Sequence, residues 1–107
     1  MSEIFKQILQ LVQRGDVRVS DHGYDELAAD GLFAGDAITS VADADVVEEY
    51  PDYPKGSCVL VLQKNRIGEP IHVVWGTPKG KSSPAVLVTA YRPDPERWEP
   101  GYLRRRK

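Results

Sequence analysis

The sequence predicts an α+β fold in which N-terminal helices pack on a four-stranded antiparallel sheet. Apolar residues recur every three or four positions at the start of the chain, whereas short apolar runs separated by turn residues follow from about residue 45. All 107 residues fit one domain, residues 1–107, because a chain of this length buries about two-thirds of its unfolded surface without metal or disulfide support.

The first half predicts three helices. The first spans about residues 2–14, because apolar residues repeat there at helical spacing: Ile4, Phe5, Ile8, Leu9, Leu11 and Val12. The stretch "VRVS" is extended and ends at Ser20, a good N-cap, so His22 falls in the first turn of a second, short helix that ends at Gly31. A third helix begins near "AGD" and ends in "DAD".

The second half predicts four consecutive strands, most simply an antiparallel meander. They correspond to "DVVEEYP", "SCVLVLQKN", "PIHVVWGT" and "PAVLVTAY", with Gly- and Pro-containing turns between them. The two central strands are apolar on both faces, as in a sheet that is covered on one side and partly on the other. An irregular basic tail, about residues 93–107, is anchored by Trp98.

Charge and cysteine content favour a cytoplasmic protein with two electrostatic faces. Residues 1–53 carry 12 acidic and 3 basic side chains, a charge of −9, whereas residues 54–107 carry 4 acidic and 11 basic ones, a charge of +7. The basic half is suited to binding phosphate or an acidic partner. The alternative is that the acidic helices and the basic tail simply solvate different surfaces of the protein. Cys58 has no partner in the chain, and neither a targeting segment nor a membrane span is evident, so we expect no membrane association.

Two histidines are the main candidates for chemistry. Strand alternation places His72 on one face, and a neighbouring strand could add Thr89 and Tyr91 to the same polar patch. A buried His72 that is merely hydrogen-bonded, and Thr89 and Tyr91 that merely pack in a strand, are the plain alternatives. For His22 the alternative is a solvent-facing helix residue.

Other chemistries have little support in the sequence. Neither zinc-ligand spacing, nor a P-loop, nor a nucleophile elbow is present, so we expect no metal and no cofactor. Lys79 and Lys81 in the loop "GTPKGKSSP" are candidates for phosphate contact, although an exposed hairpin loop explains them as well. Two imidazoles with nearby Thr, Tyr and Arg suit metal-independent cleavage of RNA through its 2′-hydroxyl.

The ordered segments "SDHGY", "VVEEYPDYPKG", "VLVLQ", "PIHVVWG" and "VLVTAYRPDPERW" resemble domain-of-unknown-function family 4258, over about residues 19–98. That family is similar to the barnase, EndoU, colicin-nuclease and RelE ribonuclease toxins, so the resemblance implies a RelE/barnase-like fold and a toxin-type endoribonuclease. It also implies a protein antitoxin as partner, in some operons of zinc-finger type, and RNA as substrate. The candidate catalytic residues become His22, His72, Thr89 and Tyr91, with Arg92 a phosphate contact.

Two departures from the resemblance leave a second hypothesis open. Many relatives carry arginine four residues after the helix histidine, whereas this chain has Glu26, and the helical half is acidic for an RNA-binding surface. Glu26 either orients the imidazole of His22 or marks the loss of a phosphate-binding cation. The alternative to a ribonuclease is therefore a non-catalytic protein-interaction module or an inactive family member.

Overall fold

A computed structural model describes residues 2–107. The helices are α1 (Glu3–Gln13), α2 (Asp21–Ala29) and α3 (Ala34–Ser40), and a 3-10 turn, Val41–Asp43, follows α3. The strands are β1 (Val17–Val19), β2 (Asp45–Tyr50), β3 (Cys58–Lys64), β4 (Pro70–Gly76) and β5 (Ala85–Tyr91). The class is α+β, with the helices ahead of the last four strands.

The predicted four-stranded antiparallel sheet, and with it the RelE/barnase-like fold class, is wrong. The sheet has five strands in the order β1-β5-β4-β3-β2, and β1 runs parallel to β5. The register pairs Val17 with Ala85, and the Ala85 N–H donates to the Asp16 carbonyl at 2.9 Å, which fixes the entry of β1 beside the last strand. Three residues are too few for an alternation to predict a strand, and a parallel partner 68 positions away leaves no local turn signal.

Helices α1 and α2 begin where side-chain capping predicts. The Ser2 hydroxyl accepts the Phe5 N–H at 3.0 Å, and the Ser20 hydroxyl accepts the Gly23 N–H at 2.9 Å, so each serine satisfies a backbone donor that a helix start leaves free. Helix α1 then ends before Gly15, whose φ of 77° suits glycine. The predicted helix over residues 2–14 and the first-turn position of His22 are both confirmed.

The hydrophobic core lies between the helices and one face of the sheet. The helices contribute Phe5, Ile8, Leu11, Leu27, Ala37 and Val41, and the strands contribute Val59, Val61, Ile71, Val73, Trp75, Ala85, Leu87 and Ala90. Gln63 is buried in this layer, where its amide accepts the Trp75 indole N–H at 2.9 Å and donates to the Ala37 carbonyl at 2.7 Å. Polar groups that are buried in the core are thus paired.

The opposite face of the sheet, here called the outer face, carries the polar side chains that matter for function. Alternation puts Cys58, Leu60, His72, Val74, Gly76, Val86 and Tyr91 on it. A register shift in the β4–β5 pairing leaves Val88 as an extra residue of β5, so that Trp75 pairs with Leu87 while Val74 pairs with Thr89. This bulge keeps Thr89 and Tyr91 on the same face as His72.

The C-terminal segment, residues 93–107, covers one end of the outer face. It contains neither a helix nor a named strand, and Trp98 is 3% exposed and pairs with Arg105 in an isolated bridge. The other end of the outer face is open. Within residues 2–107, none of the helices has the length and apolar character needed to cross a membrane.

Candidate functional site

The open end of the outer face is a cleft of about 540 Å³. Its lining residues come from four places in the chain: Arg18, Ser20, His22, Tyr53, Lys55, Gly56, Cys58, Gly76, Thr77, Pro78, Val86 and Val88. Of the described residues that line it, none carries a carboxylate, whereas two are permanent cations and one is a histidine. We refer to this feature as the His22 cleft.

The floor of the His22 cleft is apolar and comes from the sheet. Cys58, Gly76, Val86 and Val88 provide it, from β3, β4 and β5. A Cβ atom at Gly76 would lie 2.8 Å from the Ser57 carbonyl oxygen and 2.9 Å from the Cys58 Cβ, so a side chain there would collide with β3. Burial raises the pKa of the Cys58 thiol, which keeps it protonated and apolar.

One wall of the cleft is the loop between β2 and β3. Gly56 lies so close to the next loop that a Cβ atom would be 2.0 Å from the Thr77 carbonyl oxygen, and its φ of 128° is open to glycine alone. The Gly56 N–H donates to the Tyr53 carbonyl at 3.0 Å, and the Lys79 N–H donates to the Lys55 carbonyl at 3.0 Å. These bonds hold the backbone of Tyr53 and Lys55 at the rim.

The opposite wall is the junction of β1 and α2. The Ser20 N–H donates to the Leu87 carbonyl at 3.1 Å, and its hydroxyl donates to the Val88 carbonyl at 3.1 Å while capping α2. Ser20 therefore ties the start of α2 to the bulged part of β5. That anchor places His22, two residues after Ser20, over the cleft. Arg18 of β1 lies on the same wall.

His22 has a carboxylate beside it and is accessible. Its Nε2 lies 3.5 Å from Glu26 Oε1, and the two side chains are 65% and 41% exposed. Glu26 is therefore positioned to orient the imidazole, the first of the two roles that the sequence leaves open. Throughout residues 2–107, no carboxylate comes within 4.0 Å of the charged groups of Arg18 or Lys55.

His72 lies in a separate, closed cluster under the C-terminal segment. It is 0% exposed, its Nε2 lies 2.8 Å from the Tyr102 carbonyl oxygen, and its Nδ1 lies 3.3 Å from the Tyr91 hydroxyl. Because a carbonyl only accepts, Nε2 carries the proton and Nδ1 accepts from Tyr91. Burial lowers the pKa of His72, against the opposing hydrogen bond to Tyr102. The Trp98 ring packs edge-on against the His72 ring, with 4.5 Å between the ring centroids.

A charged pair closes this cluster. Arg105 donates to both carboxylate oxygens of Glu48, at 2.8 and 2.9 Å, and its guanidinium lies 4.6 Å from the Trp98 ring centroid. The hydrogen bonds from Arg105 lower the pKa of Glu48, and burial, with the hydrogen bond to Glu48, raises the pKa of Tyr50 to about 12. The network fastens the C-terminal segment to β2.

The four predicted catalytic residues thus do not share one site. His72 pairs with Tyr91 across β4 and β5, Thr89 pairs with Val74 and is half-buried, and none of the three lines the His22 cleft. Along β5, Val88 in the cleft floor and Tyr91 in the cluster are three residues apart, roughly 10 Å at the usual rise of a strand. The structure does not bring His22 and His72 into one site.

The three predicted substrate-binding residues also lie outside the cleft lining. Arg92 is held by carboxylates, since its N–H donates to Asp30 Oδ2 at 2.7 Å and its Nη1 to Glu69 Oε1 at 2.9 Å. Lys79 and Lys81 are exposed on the loop after β4, beside the rim. Hydrogen bonds from Asn65 and Arg92 lower the pKa of Glu69.

Sequence reasoning missed Arg18, Tyr53 and Lys55. Arg18 had a weak signal, because a single charge between two valines in "VRV" is an alternation of three residues. Tyr53 and Lys55 lie in the segment "VVEEYPDYPKG", which carries part of the family resemblance but assigns no role to either residue, and the contact between Gly56 and Thr77 brings them to the cleft. No short-range pattern carries that contact.

The comparison with protein families supplies one match. A family model described as "Domain of unknown function (DUF4258)" matches residues 19–92, which include both histidines and every cleft-lining residue except Arg18. Neither a curated protein nor a solved structure matches the chain.

Proposed function

The chain belongs to the DUF4258 family, and we propose that this member is a metal-independent endoribonuclease that works in the His22 cleft. One observation carries the proposal: an exposed histidine with a carboxylate at 3.5 Å shares a cleft with Arg18 and Lys55, two cations without a carboxylate partner. Outside the cleft, Arg92 and Arg105 are already paired with Glu69 and Glu48. Free cations in a cleft favour a ligand that brings its own negative charge.

The chemistry that fits is transesterification through the 2′-hydroxyl of RNA. His22 takes the proton of the 2′-hydroxyl as the 2′-oxygen bonds to phosphorus, and Glu26 stabilises the imidazolium that forms. The bond from phosphorus to the 5′-oxygen breaks, and the Lys55 ammonium gives that oxygen its proton. Arg18 stabilises charge on the phosphorane. The products are a 2′,3′-cyclic phosphate and a 5′-hydroxyl end.

In this proposal the other predicted residues have supporting roles. His72 and Tyr91 hold the C-terminal segment on the sheet, because both ring nitrogens of His72 already have partners. Lys79 and Lys81 extend the basic rim along the substrate backbone. The toxin character and the protein antitoxin implied by the resemblance are part of the proposal, with the antitoxin acting by covering the cleft.

The test is cleavage of a single-stranded RNA in the presence of EDTA. The wild type should yield cyclic-phosphate ends, and His22→Gln should lose about 100-fold or more, the usual contribution of a general acid or base. Lys55→Arg keeps the charge but not a transferable proton, so it should keep RNA affinity and lose rate. Asp25→Asn is the matched control, since Asp25 is an exposed residue of α2 that does not line the cleft.

Intact RNA with the wild type, or full activity in His22→Gln, would refute the proposal. The second candidate function is a non-catalytic binding module. The closed His72 cluster favours this candidate, because His72 is buried and only one of the two histidines lies at an open site. That candidate predicts RNA binding that depends on Arg18 and Lys55, with no cleavage. Growth arrest on expression, relieved by His22→Gln, would decide against it.

A further inference from the structure

We propose that the floor of the His22 cleft is a base-binding subsite in which Tyr53 stacks on one unpaired base, so that the ligand is single-stranded RNA read with little base preference. The inference rests on the proposed function for its choice of RNA as ligand.

The floor of the His22 cleft is apolar, whereas its walls carry charge. Cys58, Gly76, Val86 and Val88 present apolar surface, and the cations and His22 stand on the walls. A ribose-phosphate chain is polar throughout, and only the base of a nucleotide has an apolar face. Phosphate is therefore held at the walls by Arg18 and Lys55, and the base enters the floor.

The shape of the floor depends on Gly76. Gly76 adds no side chain to the floor, and a Cβ atom there would lie 2.8 Å from the Ser57 carbonyl oxygen and 2.9 Å from the Cys58 Cβ, so the neighbouring chain leaves no space for one. The cleft of about 540 Å³ lies within the range of small-ligand pockets. A flat ring can lie on this floor without moving the strands.

Tyr53 is an aromatic residue of the cleft lining. It lines the cleft with 49% of its surface exposed, and its main chain is fixed by the bond from Gly56. An exposed aromatic ring beside unpaired cations is the arrangement by which proteins hold single-stranded nucleic acid, because every base has a π-face. The Tyr53 ring thus has a use that packing alone does not explain.

The floor of the cleft has few groups that read base edges. The Ser20 hydroxyl is already committed, donating to the Val88 carbonyl and accepting the Gly23 N–H. Among the described residues of the floor, no side chain offers an amide or carboxylate. Stacking without edge contacts tolerates all bases, whereas a base paired in a duplex cannot enter the floor.

The experiment measures binding separately from cleavage. The probes are fluorescein-labelled ten-nucleotide 2′-O-methyl oligouridine and oligoadenine, which lack the nucleophilic hydroxyl, and the duplex of the two, at one fixed salt concentration. Fluorescence anisotropy gives Kd for the wild type, Tyr53→Ala, Tyr53→Phe and Tyr24→Ala. Tyr24 is the matched control, because it is 57% exposed and does not line the cleft. Thermal melts confirm that each variant is folded.

We expect Tyr53→Ala to raise Kd for both single strands about tenfold, the usual effect of losing one stacked base, while Tyr53→Phe and Tyr24→Ala stay within about twofold. The two single strands should differ by less than about threefold, and the duplex should bind about tenfold more weakly. Equal binding of duplex and single strand, or a Tyr53→Ala that behaves like Tyr24→Ala, would overturn the inference. Tyr53-dependent binding without cleavage of unmodified RNA would support the base-binding subsite and refute the proposed catalysis. Cleavage of unmodified RNA with no effect of Tyr53→Ala on binding would refute the subsite and support the catalysis.

Discussion

Replacing Gly23 with alanine tests the anchoring of α2, and with it the placement of His22. A Cβ atom at Gly23 would lie 2.7 Å from the Leu87 carbonyl oxygen, 3.1 Å from the Ser20 hydroxyl and 3.2 Å from Leu87 Cδ2. Ordinary contacts begin at 3.4 Å, so the helix would have to retreat from β5 by about 0.7 Å. The hydrogen bonds from Ser20 to Leu87 and Val88, at 3.1 Å each, would lengthen.

The magnitude follows from two opposing terms. Overpacking of a close contact costs about 1–3 kcal/mol, and alanine in a helix interior gains about 1 kcal/mol over glycine. The net change for Gly23→Ala is therefore a loss of about 1 kcal/mol. Gly35→Ala is the matched control, since Gly35 lies in α3 and a Cβ atom there meets nothing within 4 Å, so only the gain of about 0.5–1 kcal/mol applies.

The assay is urea unfolding of both variants and the wild type, with the slope checked to be constant. The variants should differ by about 2 kcal/mol, with opposite signs, and their melting temperatures should move apart by roughly 8 °C for a chain of this size. If Gly23→Ala is as stable as the wild type or more so, α2 does not rest on Leu87 and the wall that holds His22 is misplaced. Any ribonuclease activity should fall in Gly23→Ala and persist in Gly35→Ala, because a shift of this size misaligns a general base.

Two further predictions concern the closed cluster and the loop wall. Burial keeps the pKa of His72 below 6.5 in the folded protein, so between the folded pKa and about pH 6.5 the unfolded chain binds more protons than the folded one. The free energy of unfolding should therefore rise with pH across this range. In urea unfolding at about pH 5 and pH 7.5, His72→Gln should remove this rise. A slope that persists in His72→Gln would place its origin elsewhere. Gly56→Ala should lower the free energy of unfolding by about 2 kcal/mol more than Gly68→Ala. Both glycines have positive φ, but only at Gly56 would a Cβ atom lie 2.0 Å from a carbonyl oxygen, that of Thr77. Equal losses of stability in calorimetry would show that the two loops are not in contact.

Local signals accounted for much of the fold. Ser2 and Ser20 are read as caps from residue type alone, and both accept the expected N–H. The runs that became β2, β3, β4 and β5 were recognisable because each extends over six or seven residues between turn residues. What these elements share is that their determinants lie within a few positions along the chain.

The errors come from determinants that lie far apart in the sequence. Strand β1 joins the sheet because Val17 meets Ala85, a pairing that the extended stretch "VRVS" does not indicate. The bulge at Val88 exists because β4 and β5 shift register, and it has no local pattern. The same holds for the candidate site. The pairing of His72 with Tyr91 agrees with strand alternation, but the wall that carries Lys55 depends on the approach of Gly56 to Thr77.

The two ends of the outer face explain why one histidine is a better catalytic candidate than the other. His72 is enclosed because Trp98 and the ion pair of Arg105 with Glu48 hold the C-terminal segment on the sheet. Burial lowers the pKa of His72, and both of its ring nitrogens are hydrogen-bonded. Nothing in the described chain encloses His22, whose partner Glu26 leaves the ring accessible. Proton transfer to a bound substrate needs a free ring nitrogen at an open surface, so the chemistry proposed here belongs to the His22 cleft, and the His72 cluster keeps the other half of the face closed.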